Sequence, residues 1–199
     1  MTEFNNQGFT LIEVVIALAL SVITVGAIYT IYLGQVKSEI VREDKLDMQQ
    51  HARVAMDLIV RELNMAGYDP RHVNQDENLN NDFDGIAYHP TQLVVKADLN
   101  GNGSPTDSNE SIQFSHDPIT FTLRRDTGGG RQPLAEHVEK FSIKYFDHTG
   151  QITTNSQQIR QIELHLKART ERPDPRYPLN GGYRTFTLQA RITPRNLGL

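Results

Sequence analysis

One uncharged segment limits what this chain can fold into more than any other feature. Val14 to Val36 is a run of 23 residues without a charged side chain, made up mostly of Val, Ile, Leu and Ala. About 20 apolar residues in a helix are enough to cross the hydrocarbon core of a membrane. The segment therefore predicts one transmembrane helix and excludes a simple soluble globule.

A secretory signal peptide is the alternative interpretation of this segment. Signal peptides have a shorter apolar core and a basic N-terminal region. Here Met1 to Gly8 contains Glu3 and no Lys or Arg. No small-residue cleavage signal follows the apolar run, which ends with Tyr29, Tyr32 and Leu33, and tyrosine is common at membrane interfaces. We therefore favour a spanning helix.

Composition and charge exclude several classes of function for this chain. Apolar residues make up 38% of the chain, but they account for 19 of the 25 residues from Phe9 to Leu33, so the rest is unusually polar. A net charge of −4 argues against a nucleic-acid partner bound through its phosphates. Because the chain has no cysteine, disulfides, thiolate zinc sites and cysteine nucleophiles are excluded.

A carboxylate stands at the start of the apolar run. Glu13 would cost several kcal/mol in lipid unless it were paired or close to the headgroups. One interpretation is that Glu13 marks the helix start, where a negative charge is favourable to the helix dipole. The residues around it favour another interpretation, because Gly8 to Glu13 read G-F-T-L-I-E.

This hexamer, followed by an apolar run, resembles the processing site of type IV prepilins and type II secretion pseudopilins. The resemblance implies cleavage after Gly8 by a membrane prepilin peptidase and N-methylation of Phe9. It also implies that Glu13 pairs with the Phe9 amino group of a neighbouring subunit, since two buried charges are tolerated when they meet. The resemblance places the N-terminus in the cytoplasm and the rest beyond a bacterial inner membrane. Lys37, Arg42 and Lys45 taken alone would predict the opposite orientation.

The helix is expected to continue beyond the membrane. No proline occurs between Gly34 and Gly67, and Asp69-Pro70 then supplies a stop. An amphipathic stripe occurs at helical spacing: Ala52, Ala55, Met56, Ile59, Leu63 and Ala66. We predict a leader at residues 1–8, a transmembrane helix at 9–34, an extramembrane half of the same helix at 35–67, and a β-rich head at 68–199.

Alternating apolar residues in the head predict strands with one buried face. Such strands form an antiparallel sheet that is half covered, and the helical stripe is the cover. The predicted class is therefore α+β, with one long N-terminal helix packed on an antiparallel sheet. The predicted strands lie at residues 92–97, 111–115, 119–123, 141–145, 159–167 and 183–192.

Further segments resemble PilW-like minor pilins: residues 65–68, 133–138, 145–147 and 194–196. This resemblance implies a minor pilin that is stored in the inner membrane and assembles with other minor pilins and the major pilin, at the tip of a pilus. A type II secretion counterpart, pseudopilin J, fits the same residues. A single-pass membrane protein with a periplasmic binding or sensory head is the alternative from another class, and it would keep its N-terminus uncut.

No motif predicts an enzyme. The seven histidines are scattered, and the sequence has no H-E-x-x-H, G-x-S-x-G or phosphate-loop pattern. We therefore expect no catalytic residue.

One loop has oxygen-bearing residues at alternate positions before a glycine. Asp98, Asn100 and Asn102 precede Gly103, with Asp107 and Glu110 downstream. Calcium takes six to eight oxygen ligands, so the loop is a candidate for weak calcium binding through these five side chains. The alternative is an ordinary Asn/Gly-rich connection between two strands.

Overall fold

The computed structural model describes residues 8–78 and 80–197. One long helix, α1, spans Leu11–Met65. The strands that follow are β1 Ile86–Ala87, β2 Gln92–Lys96, β3 Ser111–Asp117, β4 Thr122–Asp126, β5 Gln132–Ala135, β6 Val138–Phe146, β7 Gln161–Arg169 and β8 Thr185–Ile192. The predicted leader, apart from Gly8, lies outside the described residues.

Helix α1 continues past the apolar run, as predicted. Ser21, Thr24 and Thr30 do not disturb it, because each hydroxyl donates to the helix carbonyl three or four residues earlier, at 2.7–2.8 Å. The helix ends before Gly67, which has a φ of +73°. A side chain there would also place a Cβ 2.7 Å from the carbonyl oxygen of Asn196. Both the positive φ and this close approach therefore require glycine at position 67.

The chain divides into two compact units, Met1–Glu43 and Asp44–Leu199. In the first unit, the apolar side chains from Leu11 to Leu33 are exposed. In the second unit, which we call the head, the helix buries one face. All six residues of the predicted stripe, from Ala52 to Ala66, are buried, so that prediction is confirmed.

The strands form two antiparallel sheets instead of the single sheet predicted. One sheet has the order β1-β2-β3-β4-β5, and the other has the order β6-β7-β8. One hydrophobic core joins the helical stripe to both sheets, with Phe114 and Leu123 from the first and Leu164 and Leu166 from the second all fully buried. The α+β class is confirmed.

One predicted strand begins too early. Residues 118–121 form the β3–β4 turn, so β4 begins only at Thr122. Asp117 Oδ1 accepts the backbone N–H groups of Ile119 and Thr120, at 2.9 and 3.3 Å, which favours the turn. Ile119 is 87% exposed at its tip. The alternation was thus misleading at its start, because the turn places Ile119 and Phe121 outside the ladder, while Leu123 lies in β4.

Two short strands were not predicted. β1 has only two residues, too few for a period to be visible. β5 contains Pro133, and proline in a run argues against a central strand. Both strands lie at the edges of their sheet, where a missing backbone donor is tolerated.

Candidate assembly site at the start of the helix

Thr10 and Glu13 form hydrogen bonds with each other at the start of α1. The Glu13 carboxylate accepts hydrogen bonds from the Thr10 backbone N–H and hydroxyl, both at 2.8 Å. The Thr10 hydroxyl oxygen accepts the Glu13 backbone N–H at 3.4 Å. This reciprocal arrangement is a capping box, which satisfies two of the N–H groups that a helix start leaves unpaired.

The capping box gives Glu13 a role within its own chain. Sequence reasoning considered Glu13 as a marker of the helix start but missed Thr10 as its partner. The signal was present, since Thr-x-x-Glu before an apolar run is the pattern of a capping box. Thr10 is therefore an additional candidate functional residue, because it determines where the Glu13 carboxylate points.

The predicted cleavage position is open. Gly8 and Phe9 are exposed, with Phe9 at 88%. A Cβ added at Gly8 would meet no heavy atom of the described residues within 4 Å. The described part of the fold therefore does not require glycine at position 8.

The apolar half of α1 offers a continuous apolar surface. It is long and apolar enough to cross a membrane, and none of its most apolar 18-residue window is buried within the chain. A soluble core helix of this composition would be covered by its own protein. Exposure of so much apolar surface marks a contact with lipid or with another apolar partner.

The sequence of this region matches a known family pattern. The model of the prokaryotic N-terminal methylation motif matches residues 4–29. The chain carries the N-terminal motif of type IV pilin-like proteins. The motif covers all three predicted assembly residues, Gly8, Phe9 and Glu13, and with the apolar helix it fits an inner-membrane anchor. The motif also implies processing by a prepilin peptidase and assembly with other pilins.

A solved structure shows similarity to this chain. It is a type IV-like pilin from Thermus thermophilus, with 14% sequence identity and a TM-score of 0.48. The alignment covers 76% of this chain and 98% of that one. No curated protein matches the sequence.

The candidate calcium residues lie together in the β2–β3 loop, but their carboxylates accept hydrogen bonds from other groups of the same loop. Asp98 is fully buried. Its Oδ1 accepts the backbone N–H groups of Gly101 and Asn102 at 2.8 and 3.1 Å, and its Oδ2 accepts that of Gly103 at 2.9 Å. The Asp98 carboxylate thus holds the glycine turn that follows it.

Glu110 has the same role from the other end of the loop. It is 2% exposed, and its Oε1 accepts the N–H groups of Leu99 and Asn100 at 3.0 Å. Its Oε2 accepts the N–H of Asp107 at 3.2 Å. Asp107 Oδ2 in turn accepts the side-chain amides of Asn100 and Asn102, both at 2.7 Å.

These hydrogen bonds account for two buried carboxylates without an ion, because backbone N–H groups replace the lost water. A calcium ion would have to take the same oxygens from these donors. Across residues 8–78 and 80–197, no three His, Cys, Asp or Glu side chains are grouped so as to hold a metal ion. Calcium binding by this loop stays a prediction.

Proposed function

We propose that this chain is a minor pilin that takes part in the assembly of a type IV pilus. The observation that carries the proposal is the methylation motif at residues 4–29, which leads directly into an exposed apolar helix. A pilin needs both parts, since the helix stores the subunit in the inner membrane before assembly. In this proposal the head lies in the periplasm and later at the pilus tip, and other pilins are its partners.

In the proposed mechanism, cleavage after Gly8 changes what Glu13 can bind. The new α-amino group on Phe9 is largely cationic near neutral pH. Phe9 directly precedes Thr10, whose N–H and hydroxyl hold the Glu13 carboxylate. The capping box presents this carboxylate at the exposed end of the helix, where the amino group of a neighbouring subunit can pair with it.

The N-terminus of the mature protein tests the proposal directly. Mass spectrometry of the chain recovered from the membranes of a pilus-producing cell should show a protein that begins at N-methylated Phe9. Replacing Gly8 with a bulky residue should leave the full-length chain in the membrane. A wild-type chain that still begins at Met1 or Thr2 would favour the membrane-anchored sensory or binding protein instead.

The role of the Glu13 charge needs variants that separate charge from capping. Glu13→Gln keeps a side chain that serves a capping box, but it removes the charge. Thr10→Ala removes the two hydrogen bonds of the hydroxyl group and keeps both the charge and the backbone N–H donor. We expect both variants to insert and be cleaved, and we expect Glu13→Gln to lose crosslinking to partner pilins while Thr10→Ala retains most of it. The reverse order would show that the cap, and not the charge, supports assembly.

A further inference from the structure

The head has an acidic groove on the side where α1 faces β5. Its volume is about 460 Å³, and its walls come from the helix between Asp44 and Val54, from residues 133–137, and from Glu171. Among residues 8–78 and 80–197, its lining includes four carboxylates and two histidines, His51 and His137, and no Lys or Arg. The acidic side chains are Asp44, Asp47, Glu136 and Glu171.

The carboxylates of the acidic groove are almost without partners. Asp44 is 9% exposed and forms a 3.5 Å ion pair with Arg172, whose side chain is 62% exposed. Within residues 8–78 and 80–197, Asp47, Glu136 and Glu171 make no ion pair and no side-chain hydrogen bond. Like charges that share one cavity repel each other, so the groove is favourable to an added cation.

A second surface of the head has the opposite sign. On β6, Phe141, Ile143 and Tyr145 belong to the hydrophobic core. Because side chains alternate along a strand, Lys140 and Lys144 point to the other face of the sheet. Both are exposed, and Lys167 of β7 lies directly opposite Lys140. We call Lys140, Lys144 and Lys167 the lysine face.

The lysine face has more positive charge than its own carboxylates neutralise. Lys167 pairs with Glu139 at 2.7 Å, and Lys144 pairs with Glu163 at 3.1 Å. In the described part of the chain, Lys140 has no carboxylate within ion-pair distance. Two like charges directly opposite on neighbouring strands are destabilising, so the position of Lys140 is unfavourable within the isolated head.

We propose that the acidic groove of one copy of this chain docks the lysine face of a second copy, with Lys140 entering beside Glu136 and Asp47. Each copy carries both surfaces, so each copy can supply the groove to one contact and the lysine face to another. Met48 and Val54 give the groove apolar wall for a lysine stem, while the carboxylates meet the ammonium group.

The proposal rests on the charges of the head alone. It holds for a subunit of a pilus and equally for an uncleaved membrane protein, so its failure is distinguishable from failure of the proposed function. Glu13 takes no part in the contact, because it lies in the other unit of the chain.

Engineered disulfides test the contact in the full-length chain, which has no cysteine of its own. Two differently tagged forms are produced together and oxidised in the membrane fraction: Gln50→Cys in the groove of one and Ser142→Cys on the lysine face of the other. The control pairs Gln50→Cys with His148→Cys, at an exposed turn. We expect the mixed dimer to form with a yield about fivefold above the control, the size of one favourable exposed ion pair.

Charge reversal then decides whether the contact is electrostatic. Glu136→Lys in the groove form should return the mixed dimer to the control yield, and so should Lys140→Glu in the other form. Both residues are exposed, so neither change should disturb folding, which circular dichroism checks. Combining the two reversals should restore the dimer.

Three results would overturn the proposal: a yield equal to the control, a yield that neither reversal changes, or no restoration in the combined variant. A yield that neither reversal changes would mean that the charge of Lys140 only protects β6, which is an edge strand, from pairing with other strands.

Discussion

The two halves of α1 meet opposite surroundings. Ile23, in the first unit, is 68% exposed, whereas Ile59, in the head, is fully buried beneath the sheets. The same residue type in the same secondary structure therefore has two different roles. In the head, apolar burial stabilises the fold, while in the first unit the apolar surface is kept for a partner outside the chain.

The two halves also differ in how apolar residues are distributed around the helix. In the head, buried positions repeat at helical spacing and polar residues take most of the other positions. In the first unit, apolar side chains surround the helix and none of the most apolar window is buried. A helix that is apolar on all sides needs an apolar solvent, and here the chain itself does not provide it.

Truncating one isoleucine in each half should give the largest contrast. Ile59→Ala leaves a cavity in the core and should lower the free energy of unfolding of the head by about 2–5 kcal/mol. Ile23→Ala should change it by less than about 0.5 kcal/mol, as expected for exposed positions. Urea unfolding of the full chain in detergent, followed by near-UV circular dichroism, measures both. Equal effects would mean that the first unit also packs against the head.

The hydrogen-bonded β2–β3 loop should belong to the folded head and tolerate little change. Asp98→Ala removes the acceptor of three backbone N–H groups, so it should cost about 1–3 kcal/mol. Asp57→Ala, at an exposed helix position, is the matched control. Melting in EDTA isolates the effect from any cation. A variant that melts like the control would show that the loop contributes nothing to the head.

Calcium gives a smaller effect if the same loop binds it. A dissociation constant of ~0.1 mM and millimolar calcium would stabilise the folded state by roughly 1.4 kcal/mol. The melting temperature should then rise by a few degrees in calcium relative to EDTA, with magnesium doing less. Identical melting curves in calcium and EDTA would leave Asp98, Asn100, Asn102, Asp107 and Glu110 with a structural role only.

Acid should weaken the head slightly through Asp174. The backbone N–H of Arg176 and the guanidinium of Arg184 hold the pKa of this carboxyl below its usual value. A lowered pKa contributes stability at neutral pH, and that contribution is lost as the pH falls below about 4. Asp174→Asn should therefore show a smaller drop in melting temperature between pH 7 and pH 3 than the wild type. An unchanged drop would assign the acid sensitivity to other carboxyl groups.

Sequence reasoning succeeded for several signals that are local in the chain. The apolar run and the stripe from Ala52 to Ala66 are patterns within one helix that reflect a uniform environment and a 3.6-residue period, and the G-F-T-L-I-E hexamer is a motif of six adjacent residues. The β6, β7 and β8 regions were also recognised, because their alternation continues over eight or nine residues. Sequence reasoning failed at β1, which has only two residues, and at β5, which contains Pro133.

What the sequence determined by itself is therefore the apolar segment, the motif at its start and the class of the head. Only the tertiary structure decided that the strands divide into two sheets, that Asp98 and Glu110 turn inward to backbone N–H groups, and that Lys140 lies opposite Lys167. The physical reason is distance along the chain. A helix satisfies its hydrogen bonds within four residues, whereas a strand pairs with another strand and the Glu110 carboxylate accepts N–H groups 10 and 11 residues away.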